Sequence, residues 1–277
     1  MTEFLDLLPQ TLVNGLTLGS VYALIALGYS MVYSILKLLN FAHGDMYMIG
    51  AYLGFGVFTL FFSDEGALIP TAAIIVIMLV VAMVGAGIVS VAVERFAYRP
   101  LRYAPRIAPL ISALGVSFFL QNMVQITVSP RPLSYGSGTL IATDSTLDIS
   151  DLRVHLSRLL VVGTTLVLML GLTYFISRTR LGRAMRAVSM DLDAAQMMGV
   201  NVNQVIVVTF FLGAALAGAA GVLVGIVFFS IRHTMGFAAG LKGFTAAVIG
   251  GIGSVPGAAL GGLLLGMAEA FASKDLS

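Results

Sequence analysis

A chain with seven uncharged stretches of eighteen residues or more has few folds open to it. The stretches are Leu7–Leu36, Met46–Ser63, Gly66–Val93, Ile107–Pro130, Leu159–Ser177, Ala194–Ile231 and Gly243–Ala268. A helix rises about 1.5 Å per residue, so roughly 20 apolar residues cross the hydrocarbon layer of a bilayer. Composition closes the alternative of burying these stretches in a soluble globule. Hydrophobic residues make up 58% of the chain and charged residues 10%, against roughly 45–50% and about 25% in soluble domains. Too few charges remain to cover an exterior, which excludes a soluble enzyme. A nucleic-acid partner is excluded too, because 15 basic and 13 acidic residues leave a net charge of +2 and no extended basic face. With no cysteine there are no disulfides, thiolate metal sites or cysteine nucleophile.

The first stretch follows Glu3 and Asp6 instead of a basic segment and meets no A-x-A cleavage site, so it is expected to persist as a span and not as a signal peptide. Lysine and arginine in short loops set orientation. Arg95, Arg99, Arg102 and Arg106 fall in one loop and Arg178, Arg180, Arg183 and Arg186 in another, eight of the fifteen basic residues. These two loops are expected to be cytoplasmic. The acidic loop at Asp64 and Glu65 and the long loop 130–157, with Asp144, Asp148 and Asp151, are then extracytoplasmic. Counting back places the N-terminus outside. Tyr33, Tyr98 and Tyr103 fall at the predicted inner boundary.

The run Gly250–Gly257 interrupts the last stretch, since glycine is a poor helix former and Pro256 has no amide hydrogen to donate. Two helices joined by a turn are expected there, giving an all-α polytopic membrane protein of about eight transmembrane helices, some broken or re-entrant, in one domain over residues 1–277. Irregular backbone is expected at two places, Leu39–Asp45 and Gly236–Gly243. At a shift of 196 residues, Ser34, Ile35, Phe41, Ala42 and Gly44 match Ser230, Ile231, Phe237, Ala238 and Gly240. The helices leading into these segments run in opposite directions by the charge count, which admits an inverted-topology repeat with the transport site between its broken helices.

Polar groups at membrane depth mark candidate function. Asn40, Phe41, His43, Asp45, Phe237 and Lys242 are the candidates for the substrate pathway. For Asp45 the alternative is a cap on the next helix, for His43 a hydrogen bond to a neighbouring helix, and for Lys242 an ammonium snorkelling to the interface. Glu94 and Glu269 fall near predicted span ends. Five GxxxG pairs, at Gly15/Gly19, Gly50/Gly54, Gly221/Gly225, Gly257/Gly261 and Gly262/Gly266, are read as close helix packing. No GxxxxGK[ST], HExxH or GxSxG occurs, and His43, His155 and His233 lack metal-ligand spacing. No catalytic residue, metal site or cofactor is therefore expected in this chain, and any ATP hydrolysis belongs to another polypeptide. The methionines suit either an adaptable lining for an apolar solute or ordinary packing.

The segment 178–204 reads RTRLGRAMRAVSMDLDAAQMMGVNVNQ. A helix is expected from Leu181, a second short one from Asp191, and a stop at Gly199. Ala194, Ala195, Met197 and Met198 would form a small apolar face flanked by arginines, suited either to a docked protein or to the inner leaflet of the bilayer. Asp193-Ala194-Ala195 followed by Gly199 resembles the EAA-x3-G coupling motif of ABC importer permeases, with Asp for Glu. The block from Asn40 to Tyr52, NFAHGDMYMIGAY, resembles the signature of LivH-type branched-chain amino-acid permeases. The block from Gly240 to Ser254, GLKGFTAAVIGGIGS, resembles that family's C-terminal block. The three blocks stand in the family's order and span nearly the whole chain.

The resemblance implies a non-catalytic subunit in a bacterial inner membrane. Its partners would be a homologous LivM-like permease, two cytoplasmic ABC ATPases that hold ATP and Mg, and a periplasmic substrate-binding protein. Arg183, Asp193, Ala194, Ala195 and Gly199 would then form the socket for an ATPase within the coupling loop 178–204. Branched-chain or other neutral amino acids are the expected substrates. Related permeases for urea or short amides tend to read Asn-Leu-Ala-His-Gly-Glu, so Phe41 and Asp45 lean toward amino acids. Family members usually continue through another apolar segment to an Arg-Pro-x-Gly pattern, whereas this sequence stops at Ser277; a lost segment and a shorter member both fit. A channel or secondary transporter is the competing class, with Asp45 as its one acidic candidate.

Overall fold

The computed structural model describes residues 2–63, 66–102, 104–105, 107–136, 140, 146–149 and 152–275. Asp64, Glu65, Tyr103, Arg106, Asp144 and Asp151 lie outside the described residues. Ten α-helices follow in order: α1 Thr2–Leu36, α2 His43–Phe61, α3 Thr71–Val93, α4 Ile107–Thr127, α5 Leu156–Arg178, α6 Arg180–Met190, α7 Leu192–Met197, α8 Val202–Phe228, α9 Met235–Gly250 and α10 Val255–Asp275. Seven are long and apolar enough to cross a membrane. The protein is a multi-pass membrane protein. At 16 residues, α9 is a shorter apolar helix, about 24 Å long, so seven candidate spans stand beside the expected number of about eight.

Among the described residues there are also three short antiparallel pairs. β1 Phe62–Ser63 pairs with β2 Gly66–Ala67, and β4 Thr146–Ile149 with β5 Leu152–His155. β3 Leu133–Ser134 pairs with β6 Ser230–Ile231, tying the 130–157 loop to the backbone just after α8. Tyr135 follows β3 and is fully buried; its hydroxyl donates to the Ala51 carbonyl at 2.5 Å.

Burial ranks the helices from centre to rim. The most apolar windows of α1 and α8 are 89% and 78% buried within the chain, whereas those of α4 and α5 are 28% and 17% buried. The first two form the centre and the last two the rim. Glycine explains how the centre closes. A Cβ on Gly213 would stand 3.2 Å from the Gly28 carbonyl, so α1 and α8 cross backbone to backbone. Gly50 and Gly218 hold α2 against α8 in the same way, and Gly19, Gly262 and Gly266 hold α1 against α10.

The Gly250–Gly257 interruption is a turn between two helices, as expected, with Gly251 and Gly253 in left-handed backbone at φ +88° and +96°. The expected break at Gly236–Gly243 is not one, because those residues lie within α9. Gly236 and Gly240 face Gly44 across the crossing with α2, and Gly243 faces Ile25 of α1. Their glycines serve contact, not chain reversal. The irregular backbone comes earlier, at 229–234.

That displacement also corrects the repeat register. α1 ends at Leu36 and α8 at Phe228, α2 starts at His43 and α9 at Met235, each pair 192 apart. Lys37 and Phe229, also 192 apart, are the two non-glycine residues with positive φ among the described residues, at 55° and 56°. The structural equivalence is thus one helical turn away from the shift of 196. Neighbour relations repeat as well: α3 lies against α8 as α10 lies against α1, and α2 meets α8 as α9 meets α1. Gly15 and Gly19 meet Met267 and Leu263, so α1 and α10 are antiparallel; Gly87 meets Phe211 and Gly218 meets Ala82, so α3 and α8 are too. The triplets α1–α2–α3 and α8–α9–α10 therefore run in opposite directions.

Candidate functional site

Polar side chains gather in three places, which the sequence reading singled out only in part. The first is the segment 178–204. Each helix here starts on a side-chain cap: Thr179 accepts from the Gly182 amide at 3.0 Å, Asp191 from the Ala194 amide at 2.9 Å, and Asn201 from the Gln204 amide at 3.1 Å. Gly182 has no side chain to strike the Phe175 and Ile176 carbonyls, so α6 folds back closely on the end of α5. Gly199, at φ +82°, ends α7; its own amide bonds to Gln196 O and the Val200 amide to Ala195 O.

The two-helix arrangement is the expected one, but its faces divide differently. Ala195 is buried against the protein and Ala194 is half-buried. Asp193 and Arg183 are exposed. The outward surface belongs to Met190, Met197 and Met198, each more than 80% exposed. Thioethers on a polar loop outside the spans form an adaptable contact surface. Behind α7 lies a cavity of about 420 Å³ lined by Ile35, Leu38, Arg102, Gln196 and Asn203, among others.

The second place joins that loop to the break after α1. After α3 the chain continues through a π turn at Glu94–Tyr98 and a 3-10 turn at Arg99–Leu101. Glu94 is buried and ion-paired with Arg102, which also donates to Asn203 Oδ1 at the start of α8 at 2.5 Å. Tyr98, also buried, donates to Asn40 Oδ1 at 2.7 Å. Both arginine-bearing loops thus meet at one end of the bundle, with Asn40 held beneath them. Next to it, His43 and Asp45 open α2 and are sealed inside the chain. The His43 ring lies edge-on to Tyr29, with centroids 4.6 Å apart, and fills the space beside Gly28. Asp45 stands in the first turn, where a carboxylate suits the helix dipole, but its side chain does not cap; it accepts from Gln121 Nε2 at 3.0 Å, and that amide also donates to Ser117. Phe41 is half-buried, and Phe237 is 45% exposed.

The third place is on α9. Lys242 is partnered: its ammonium donates to Glu269 Oε1 at 2.5 Å and to the Tyr22 hydroxyl oxygen at 3.2 Å, while Tyr22 donates to Glu269 Oε2 at 2.8 Å. Glu269 lies in the last turns of α10, four residues before its apolar stretch ends at Ser273, near the span end as expected. The sequence reading missed Tyr22, Gln121 and the Arg102–Asn203 bond, and it set Tyr98 at the inner boundary, whereas the structure buries it against Asn40. Gln121, a polar residue in the middle of a span, was open to detection; the others depend on which helices touch.

Known proteins resemble this chain along nearly its whole length. Residues 11–274 match the family described as the permease component of branched-chain amino acid transport systems. The high-affinity branched-chain amino acid transport system permease protein BraD of Pseudomonas aeruginosa is 47% identical over 268 residues, 95% of this chain and 85% of that protein. The corresponding LivH of Escherichia coli is 44% identical over 99% of this chain and 89% of its own length. A probable LivH of Methanocaldococcus jannaschii is 27% identical over 98% of this chain and 84% of its own length. No solved structure matches.

Proposed function

The chain belongs to the family of permease components of branched-chain amino acid transport systems, and from that premise we propose that it forms half of the membrane path of an ATP-driven importer for those amino acids. The match over residues 11–274 is the observation that carries this reading. The chain itself catalyses nothing. A homologous permease supplies the other half, two cytoplasmic ATPases hold ATP and Mg, and an extracytoplasmic binding protein delivers the solute. The membrane is a bacterial inner membrane, with the N-terminus outside and the arginine-bearing loops in the cytoplasm.

Segment 178–204 is the socket for one ATPase. The exposed methionines 190, 197 and 198 make its contact, Asp193 and Arg183 flank it, and buried Ala195 and left-handed Gly199 fix its shape. A push on α7 reaches α8 directly and reaches Asn40 through Arg102, the turns 94–101 and Tyr98. Asn40 opens the break that lets α2 tilt against α1. Among the pathway candidates, Phe237 and Lys242 face out of the bundle toward the solute. Phe41 lies in the break, His43 packs against α1 and α8, and Asp45 stands between α4 and α9.

Uptake of radiolabelled leucine, alanine and urea by the reconstituted complex tests the substrate. Leucine is expected to accumulate with ATP and only when the binding protein is present. Urea uptake without leucine uptake would move the assignment to the amide importers, and ATP-independent leakage through this subunit alone would favour a channel.

A further inference from the structure

Lys242 stands seven residues after the start of α9 and eight before its end, with roughly 10–12 Å of helix on either side. That is farther than a lysine stem reaches, so the ammonium does not snorkel to an interface. Tyr22 stands at the middle of the Pro9–Leu36 span, and Glu269 lies four residues inside the end of the Val255–Ser273 span, reaching toward it. The three meet within the membrane-spanning part of the bundle, and they meet at its outside: the Lys242 and Glu269 side chains are 43% and 36% exposed. A charge turned to acyl chains at that depth is strongly disfavoured, even when paired. This face therefore borders water or protein, unlike the exposed faces of α4 and α5 around Phe118, Phe119, Val167 and Leu170, which carry no charge.

The geometry suits one class of solute. Tyr22 holds one oxygen of Glu269, leaving the other to Lys242, and its ring lies 5.5 Å from the ammonium. The pair is net neutral, and so is a zwitterion. When an α-amino acid arrives, its ammonium can take the place of Lys242 on Glu269 and its carboxylate the place of Glu269 on Lys242. Every charge keeps an opposite neighbour through the exchange, as a low-dielectric passage requires. Exposed Phe237, Leu241 and Leu264 on the same two helices offer apolar surface for the side chain. Urea has no charges to exchange.

We infer that Lys242, Glu269 and Tyr22 form a mid-membrane station for the charged end of a zwitterionic amino acid, on the wall of the translocation path. This rests on the importer reading above. The test uses the full complex with partner permease, ATPases and binding protein in proteoliposomes, comparing wild type with Lys242→Met, Glu269→Gln and the double variant Lys242→Met/Glu269→Leu. A merely structural pair tolerates apolar replacement of both members. Expected instead is normal assembly and basal ATP hydrolysis with leucine uptake lowered at least tenfold in all three. Thr245→Cys, one turn from Lys242 in a chain with no native cysteine, should react with a water-soluble thiol reagent, and leucine should slow the reaction. Unchanged uptake in the double variant, or loss of the partner permease on purification, would overturn the station and leave the importer reading standing. Failure of the wild-type complex to take up any amino acid would overturn both.

Discussion

Gly199 condenses the residue-scale logic of the segment 178–204, the proposed ATPase socket. A left-handed backbone costs an ordinary L-residue about 1–2 kcal/mol, while asparagine adopts it with less strain. No atom lies within 4 Å of a Cβ placed there, so a substitution acts through the backbone alone. Gly199→Val is expected to shift the α7–α8 turn and uncouple ATP hydrolysis from uptake several-fold, and Gly199→Asn to leave coupling near normal. Both are read as leucine transported per ATP hydrolysed. Equal coupling in the two variants would remove Gly199 from the socket. The capping residues Thr179, Asp191 and Asn201 were open to reading because each cap is local, a side chain and an amide three residues on. The partners of His43, Asp45 and Lys242 were not, because they lie on other helices, 14 to 220 residues away in sequence.

At the scale of elements, the glycines carry the argument. GxxxG spacing announced close packing, and Gly50 shows it: a Cβ there would overlap the Gly218 main chain. Gly50→Val is expected to destabilise the bundle by about 1–3 kcal/mol or more, since neither backbone can withdraw without moving its helix. A lower unfolding temperature of the purified complex checks this. Gly115→Val, on α4 with open space around it, should change it little. The same glycine signal misplaced the second break. Gly236, Gly240 and Gly243 look alike in sequence whether they loosen a helix or let another approach, and only the position of α2 and α1 against them decides. The repeat suffered similarly: residue identities suggested 196, while helix ends and the two left-handed residues fix 192.

For the whole molecule, the arginine count predicts a fixed orientation. With no native cysteine, single replacements report it directly. Met190→Cys is expected to react with an impermeant thiol reagent only in inside-out vesicles, and Arg131→Cys only in intact spheroplasts. The reverse pattern would invert the molecule and relocate the socket. Sequence alone settled the medium, the number of crossings to within the short α9, the helix start at Asp191 and the family, because each depends on composition, local spacing or motif order. Only the tertiary structure decided that His43 and Asp45 are interior while Lys242 and Glu269 are a surface pair, that Tyr98 and Arg102 link the loops to Asn40 and α8, and that the two triplets pair in opposite directions. Those facts depend on which helices touch, and contact between distant segments is set by the packing of the entire chain.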